Sequence, residues 1–257
     1  MLLAFDLDNT VVTADHRIPD EIAAAIAAAR AKGHHVTVLT GRPPGAAQPM
    51  LAHLKVLPGP YSVNHGAMVV GPGGEVLKRR RMPADAVRAI LSPPLLPGGV
   101  PFACIIDDVL HVNDPDDPRW AWAHTTGRAV ARFEIDAVRD ADKIVFGGNG
   151  SSSTIEAQVR ASFDVTTYAW DDGNLEITAT DADKGAALAL IAERLGVPRS
   201  ETVAFGDGAN DVTMLAWAGR GVVVGPRPTA EVLAVADERI AAPEELGVAD
   251  WLSALLR

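Results

Sequence analysis

Both ends of this 257-residue chain are written in strand, helix, strand order, and residues 80–179 between them are not. LLAF, residues 2–5, is a short apolar run of the kind that fills a strand covered on both faces. Residues 19–32 carry Ile22 and Ile26 four apart among alanines, with a proline at the start and Gly33 just past the end, the punctuation of a helix. HVTVLT, residues 35–40, reads as a β-branched strand and runs into the turn-prone GRPPG. A helix over 184–195 closed by Gly196, a strand over 202–205, a helix over 211–218 and a strand over 221–224 repeat the pattern. Units of this kind build parallel sheets. The chain is therefore expected to be α/β, with one doubly wound parallel sheet assembled from residues 1–79 and 180–257.

The middle has another texture. It contains the breaks SPPLLPGG and DPDDP, the aromatic residues Trp120, Trp122, Tyr168 and Trp170, and strand-like pieces at Phe102–Ile106, Lys143–Phe146 and residues 175–178. Residues 80–179 are read as an inserted α+β domain. Trp120 and Trp122 are expected to pack its interior.

Composition narrows the functional classes. A formal net charge of −10 gives no positive field for a phosphate backbone, so a nucleic-acid partner is not expected. The run Lys78, Arg79, Arg80, Arg81 is a local exception and reads as a solvated stretch. Cys104 is the only cysteine, which rules out an internal disulfide and a cysteine zinc cluster, and it reads as a small buried apolar residue. His34, His35 and His53 lack metal-ligand spacing with acidic partners. The segment from Asp107 to Asp117 reads as a solvated acidic loop. No run is long enough to cross a membrane, and MLLAFDLDNT lacks a basic leader and a cleavage site, so a cytoplasmic location is expected.

The chemistry sits where the predicted strands stop. Asp6 and Asp8 end the first strand on the same side, where like charges roughly 4 Å apart at an effective dielectric of about 20 repel by about 4 kcal/mol. Thr40-Gly41-Arg42, Lys184-Gly185 and the run Gly206 to Asp211 also lie at strand ends or helix starts, and ligands bind at that edge of an open parallel sheet. If these segments converge, Asp6, Asp8, Asp207 and Asp211 face the single Lys184. A hard divalent cation such as Mg²⁺ would relieve that imbalance. Thr40, the amides after it and Lys184 are suited to a phosphate, and a lysine in a helix's first turn asks for a nearby anion. One carboxylate could then attack phosphorus while the other protonates the leaving oxygen and later activates water.

DLDNT, LTGR, the lysine of DADKGAAL and GDGANDVTML, in that order, resemble the four motifs of the haloacid dehalogenase superfamily. The insertion between the second and third is similar to that of its Cof-type phosphatases, which carry a large α/β cap on a Rossmann-like core. The resemblance implies Asp6 as nucleophile and Asp8 as general acid/base. It implies Thr40, Gly41, Lys184 and Asn210 on the phosphoryl group. Metal would be held by Asp6, Asp207 and the main-chain carbonyl of Asp8, with Asp211 supporting Lys184 or a metal-bound water. It further implies a small phosphomonoester substrate, a sugar phosphate first, and a cap that closes over the site. Three positions depart from the pattern: Asn9 stands where glycine is common, His65 interrupts the usual Asn-Gly-Ala, and GVVVGPRPTAE lacks a Gly-Asn-Ala segment. They bear on the substrate rather than the reaction. A non-catalytic sensor would keep the pocket without needing Asp8, and a phosphotransferase would use the same residues. A phospho-aspartate receiver does not suit the insertion.

Overall fold

The computed structural model describes all residues except 122, 124–126, 149 and 171. In chain order the strands are β1 (Leu2–Phe5), β2 (His35–Leu39), β3 (Tyr61–Val63), β4 (Met68–Val70), β5 (Val76–Arg79), β6 (Phe102–Ile106) and β7 (Val109–Val112). They continue as β8 (Val130–Arg132), β9 (Lys143–Phe146), β10 (Val165–Ala169), β11 (Leu175–Ala179), β12 (Thr202–Gly206), β13 (Arg220–Val224) and β14 (Glu238–Ile240). The chain divides into two compact units, one of residues 1–43, 47–79 and 183–257, the other of residues 44–46 and 80–182.

The first unit is built on a sheet in the order β14-β13-β12-β1-β2-β3-β4-β5. Its strands run parallel from β14 through β3, and β4 and β5 return antiparallel. Why β1 is apolar throughout follows from its central place. Leu3 and Phe5 face the helices Asp20–Ala31 and Gly247–Leu255 in one core, while Leu2 and Ala4 face Lys184–Leu195 and Val212–Trp217 in another. Phe5 stacks on Phe205 of β12 with ring centroids 4.7 Å apart, and Trp251 meets Phe205 edge-on at 5.0 Å. The sheet order reverses at β1, so the carboxyl ends of β1, β2 and β12 share one edge at the switch point.

The second unit is a sheet in the order β10-β11-β9-β6-β7-β8, antiparallel apart from the β7–β8 pair. Helices Ala84–Ile90 and Ser152–Ser162 cover one face, with Cys104 buried among Ile106, Ile144 and Ile177; burial and Asp142 push its thiol up to about 12, an inert side chain. Trp120 packs on the opposite face against Ile105, Leu110 and Val112. Trp122 lies outside the described residues.

Two surface expectations change. Four residues of the acidic segment, Val109–Val112, are strand, and Asp107 and Asp108, both at positive φ, form the turn of the β6–β7 hairpin, because the alternation of Val109 to Val112 lets that stretch pair with β6. The basic run is not simply solvated. Lys78 and Arg79 belong to β5, and Arg81 pairs with Asp107 and with the buried Asp142. No helix is long and apolar enough to cross a membrane among the described residues.

Candidate active site

Asp6 follows the last residue of β1, and its amide still donates to the Phe205 carbonyl at 2.9 Å, so the β1–β12 register sets it beside the Gly206–Asp207 corner. Its carboxylate is buried, and Lys184 Nζ lies 2.7 Å from Oδ1. The same nitrogen donates to Asp211 Oδ1 at 2.6 Å. Asp211 uses its second oxygen to accept from the amides of Asp207 and Gly208 at 3.0 and 3.1 Å. Only glycine fits at 206, since a Cβ there would meet the Asp211 carboxyl carbon at 2.5 Å.

Lys184 opens the helix Lys184–Leu195, whose N-cap Asp183 accepts from the Ala186 amide at 2.8 Å. A cation at that end is disfavoured by the helix dipole. Asp6 and Asp211 are the anions that offset it. Burial alone would lower the Lys184 ammonium, but Asp211 and Asp6 outweigh burial and hold it above its ordinary value.

Asp6, Asp207 and Asp211 each offer a carboxylate oxygen within 4.8 Å of the others. One lysine does not neutralise them. Burial first, then the Asp211 charge, keeps Asp6 well above the usual carboxylate range despite Lys184. The same two causes push Asp207 up to about 7, partly offset by Lys184 and by a hydrogen bond from Asn9. An all-oxygen donor set with negative charge in excess fits a hard divalent cation, which would supply the missing positive charge.

Asp8 is treated differently. Arg42 grips it in a two-pronged contact, Nε donating to Oδ2 at 2.9 Å and Nη2 to Oδ1. Burial would raise the Asp8 carboxyl, but the Arg42 bond and charge outweigh burial and hold it below its ordinary value. Two carboxylates two residues apart are thus set to opposite protonation tendencies, one high and one low.

Thr40 follows the last residue of β2 with no exposure, and its hydroxyl oxygen accepts from the Arg42 amide at 3.1 Å, leaving its own proton to donate. Residues 40–42 are stitched to residues 64–65 by Asn64 N donating to Arg42 O and His65 N to Thr40 O, each at 3.0 Å. Asn210 Nδ2 lies 3.5 Å from His65 Nδ1. The structure therefore brings Asp6, Lys184, Asp207 and Asp211 into one cluster, with Asp8 held by Arg42 and Thr40, Gly41 and Asn210 joined through His65.

Arg42 and Asn9 carry no assignment in the sequence reading. Arg42 lies within the LTGR run, and its charge beside a strand end crowded with carboxylates was the available signal. Asn9 sits at φ 55°, a left-handed position that asparagine tolerates better than most residues, which is why it can stand where glycine is common.

An anion arriving at this edge meets a buried lysine, a backbone loop and a carboxylate set suited to a cation. Such a set, at the carboxyl edge of a doubly wound sheet, has donors for a phosphate and room in its charge balance for a cation. The chain belongs to the haloacid dehalogenase-like hydrolase family, whose model matches residues 3–252. It is 29% identical over 242 residues to the HMP-PP phosphatase of Serratia proteamaculans, covering 87% of this chain and 83% of that protein. It is also 29% identical to the 5-amino-6-(5-phospho-D-ribitylamino)uracil phosphatase YitU of Bacillus subtilis, covering 98% and 96% of the two. Its structure matches that of the subclass IIB sugar phosphatase BT4131 with a TM-score of 0.82 at 25% identity, over 99% and 98% of the chains. The resemblance read from the motifs is borne out, and the protein is a phosphatase of this superfamily, a phosphoric monoester hydrolase.

Proposed function

We propose that the protein is a Mg²⁺-dependent phosphatase that hydrolyses a small phosphorylated metabolite, a sugar phosphate first, through an aspartyl phosphate on Asp6. The observation that carries this reading is the pairing of Asp6, in contact with Lys184, with an Asp8 in contact with Arg42. An Asp6 oxygen attacks phosphorus and the bond from phosphorus to the leaving oxygen breaks; Asp8, which Arg42 holds below its ordinary value in this structure, gives that oxygen its proton after it has left Arg42 and taken up a proton from solvent. Asp8 then takes a proton from water as the water oxygen attacks phosphorus, which releases Asp6 and inorganic phosphate. Thr40, Gly41, Asn210 and Lys184 hold the phosphoryl oxygens, and Asp211 keeps Lys184 in place. Asp6, Asp207 and the Asp8 carbonyl are the proposed metal ligands. The metal, when bound, adds positive charge against the developing charge on phosphoryl oxygen.

Phosphate release from a panel of small phosphomonoesters, with and without Mg²⁺, tests this. The names of the relatives suggest a sugar phosphate, a phosphoribitylamino uracil and HMP-PP for the panel, beside a generic aryl phosphate. Metal-dependent turnover led by a sugar phosphate is expected. Turnover that ignores Mg²⁺ would sink the cofactor assignment.

A pH dependence follows from the carboxyls. Below about 7 a proton on Asp207 competes with metal, so apparent Mg²⁺ affinity is expected to fall by about tenfold for each pH unit lost there. Calorimetry in buffers of different ionisation heat should also record proton release on binding. Affinity that stays flat between pH 6 and 8 would show that these carboxyls are already ionised.

A further inference from the structure

Residues Asn64, His65 and Gly66 take left-handed backbone angles in succession, φ 51°, 56° and 96°, and only the third is glycine. Asn64 and His65 are both about 1% exposed, and neither polar atom of the Asn64 side chain has a hydrogen-bond partner among the described residues. A buried loop with a β-carbon at two left-handed positions and an unsatisfied carboxamide costs stability. Strain of this kind persists where the geometry it imposes is used.

The placement of the imidazole shows what that use is. A Cβ added to Gly41 would lie 2.2 Å from His65 Cε1, 2.7 Å from Nε2 and 2.9 Å from Nδ1, so the ring rests against the Gly41 backbone. Its Nδ1 is 3.5 Å from the Asn210 amide nitrogen. The other end of that carboxamide is also confined, because a Cβ on Gly208 would come within 2.9 Å of Asn210 Oδ1. An imidazole that accepts at Nδ1 takes one of the two Asn210 amide protons and thereby aims the second. His65 thus touches both the loop after β2 and the loop after β12, two segments that are far apart in sequence.

We propose that His65 is a positioning residue for phosphoryl transfer: its imidazole seats the Gly41 backbone and orients the Asn210 carboxamide, so that both donors are fixed before the phosphoryl group arrives. The proposal rests on the assignment of Gly41 and Asn210 to the phosphoryl oxygens made above. It goes further by giving a task to a residue that interrupts the family's usual Asn-Gly-Ala.

The test uses His65→Gly, which relieves the left-handed strain, and His65→Asn, which tolerates that backbone and keeps a polar group. With aryl phosphate and Mg²⁺, kcat of His65→Gly is expected to fall on the order of 10–100-fold, the usual cost of losing a group that orients a ligating one. His65→Asn should recover part of it. Binding of orthovanadate, which mimics five-coordinate phosphorus, should weaken in parallel, while inorganic phosphate loses less. Asn210→Ala should lower kcat on its own, and adding His65→Gly to it should cost less than the same change costs in the parent, because only the Gly41 contact is then left to lose. Thermal unfolding should show both His65 variants folded at the assay temperature, since the cavity left by the buried ring is offset in part by relief of the left-handed backbone. Unchanged kcat and unchanged vanadate affinity in His65→Gly, or losses that simply add to those of Asn210→Ala, would overturn the proposal. The vanadate arm needs no turnover and decides on His65 by itself. A parent enzyme that binds vanadate yet releases no phosphate from any ester would count against the hydrolytic reading instead.

Discussion

Asp6→Asn is expected to lower kcat by about 10⁴-fold or more, the scale set by removing a nucleophile from a covalent mechanism, while the protein stays folded. Its stability should not drop in the absence of metal. Burial and Asp211 hold the Asp6 carboxyl above its unfolded value of 3.8, so ionising it costs folding free energy. The sign is fixed: that cost grows as pH rises from 3.8 toward the folded value and is present at neutral pH, and a neutral amide removes it. Asp6→Asn should therefore melt at or above the temperature of the parent in EDTA and gain less on adding Mg²⁺. Undiminished turnover would exclude Asp6 as nucleophile, and a large fall in metal-free melting temperature would show that its contact with Lys184 outweighs the burial cost.

Lys184→Met should lower both stability and activity. Lys184 is fully buried and lies 2.7 Å from Asp6 and 2.6 Å from Asp211. Without it Asp6 and Asp211 lose the cation they both contact, and breaking a buried ion pair by removing one partner typically costs about 3–5 kcal/mol. The carboxyls of the variant would then be raised further, so its stability deficit should be larger at pH 8 than at pH 6, where protons neutralise them. Mg²⁺ should recover part of the deficit. Activity should fall by about 10²–10³-fold or more, as when a preorganised donor to a developing charge is lost. Denaturant unfolding in EDTA at two pH values checks the first part and aryl phosphate turnover the second. Parent-like stability at pH 8 without metal would mean the cluster is neutralised by protons already.

Much of the first unit was legible because its signals are local. The helix Lys184–Leu195 is bounded as expected, since Asp183 caps one end and Gly196 at φ 66° ends the other. The all-apolar β1 announces burial on both faces, and two cores meet it there. The antiparallel edge of the sheet was not legible: β3 spans only Tyr61–Val63 after a proline-rich turn, and its pairing with β4 is a tertiary choice. The expected helix over 211–218 begins instead with a tight turn at Ala209–Asp211 and becomes α-helical at Val212, because Asp211 is bound to the amides of Asp207 and Gly208.

The candidate site shows the same division. Motif residues at strand ends could be listed from the sequence, because the carboxyl edge of a parallel sheet gathers them whatever the loops do. Which of them touch depends on register and side-chain reach. Asp8 and Arg42 are 34 residues apart and meet only because β1 and β2 are neighbours. Asn210 and His65 are separated by 145 residues and meet through a loop whose left-handed angles no pattern of apolar spacing predicts.

Trapping the covalent intermediate tests the central assignment most directly. Asp8→Asn, mixed with aryl phosphate and Mg²⁺ and quenched in acid, should accumulate phosphate on the peptide that contains Asp6. An aryl leaving group departs without much help from an acid, whereas hydrolysis of the intermediate still needs the missing base. The account predicts that the label sits on Asp6 and is absent when Asp6→Asn is combined with Asp8→Asn. Label on another residue, or phosphate release by the parent enzyme with no covalent species in either variant, would contradict it.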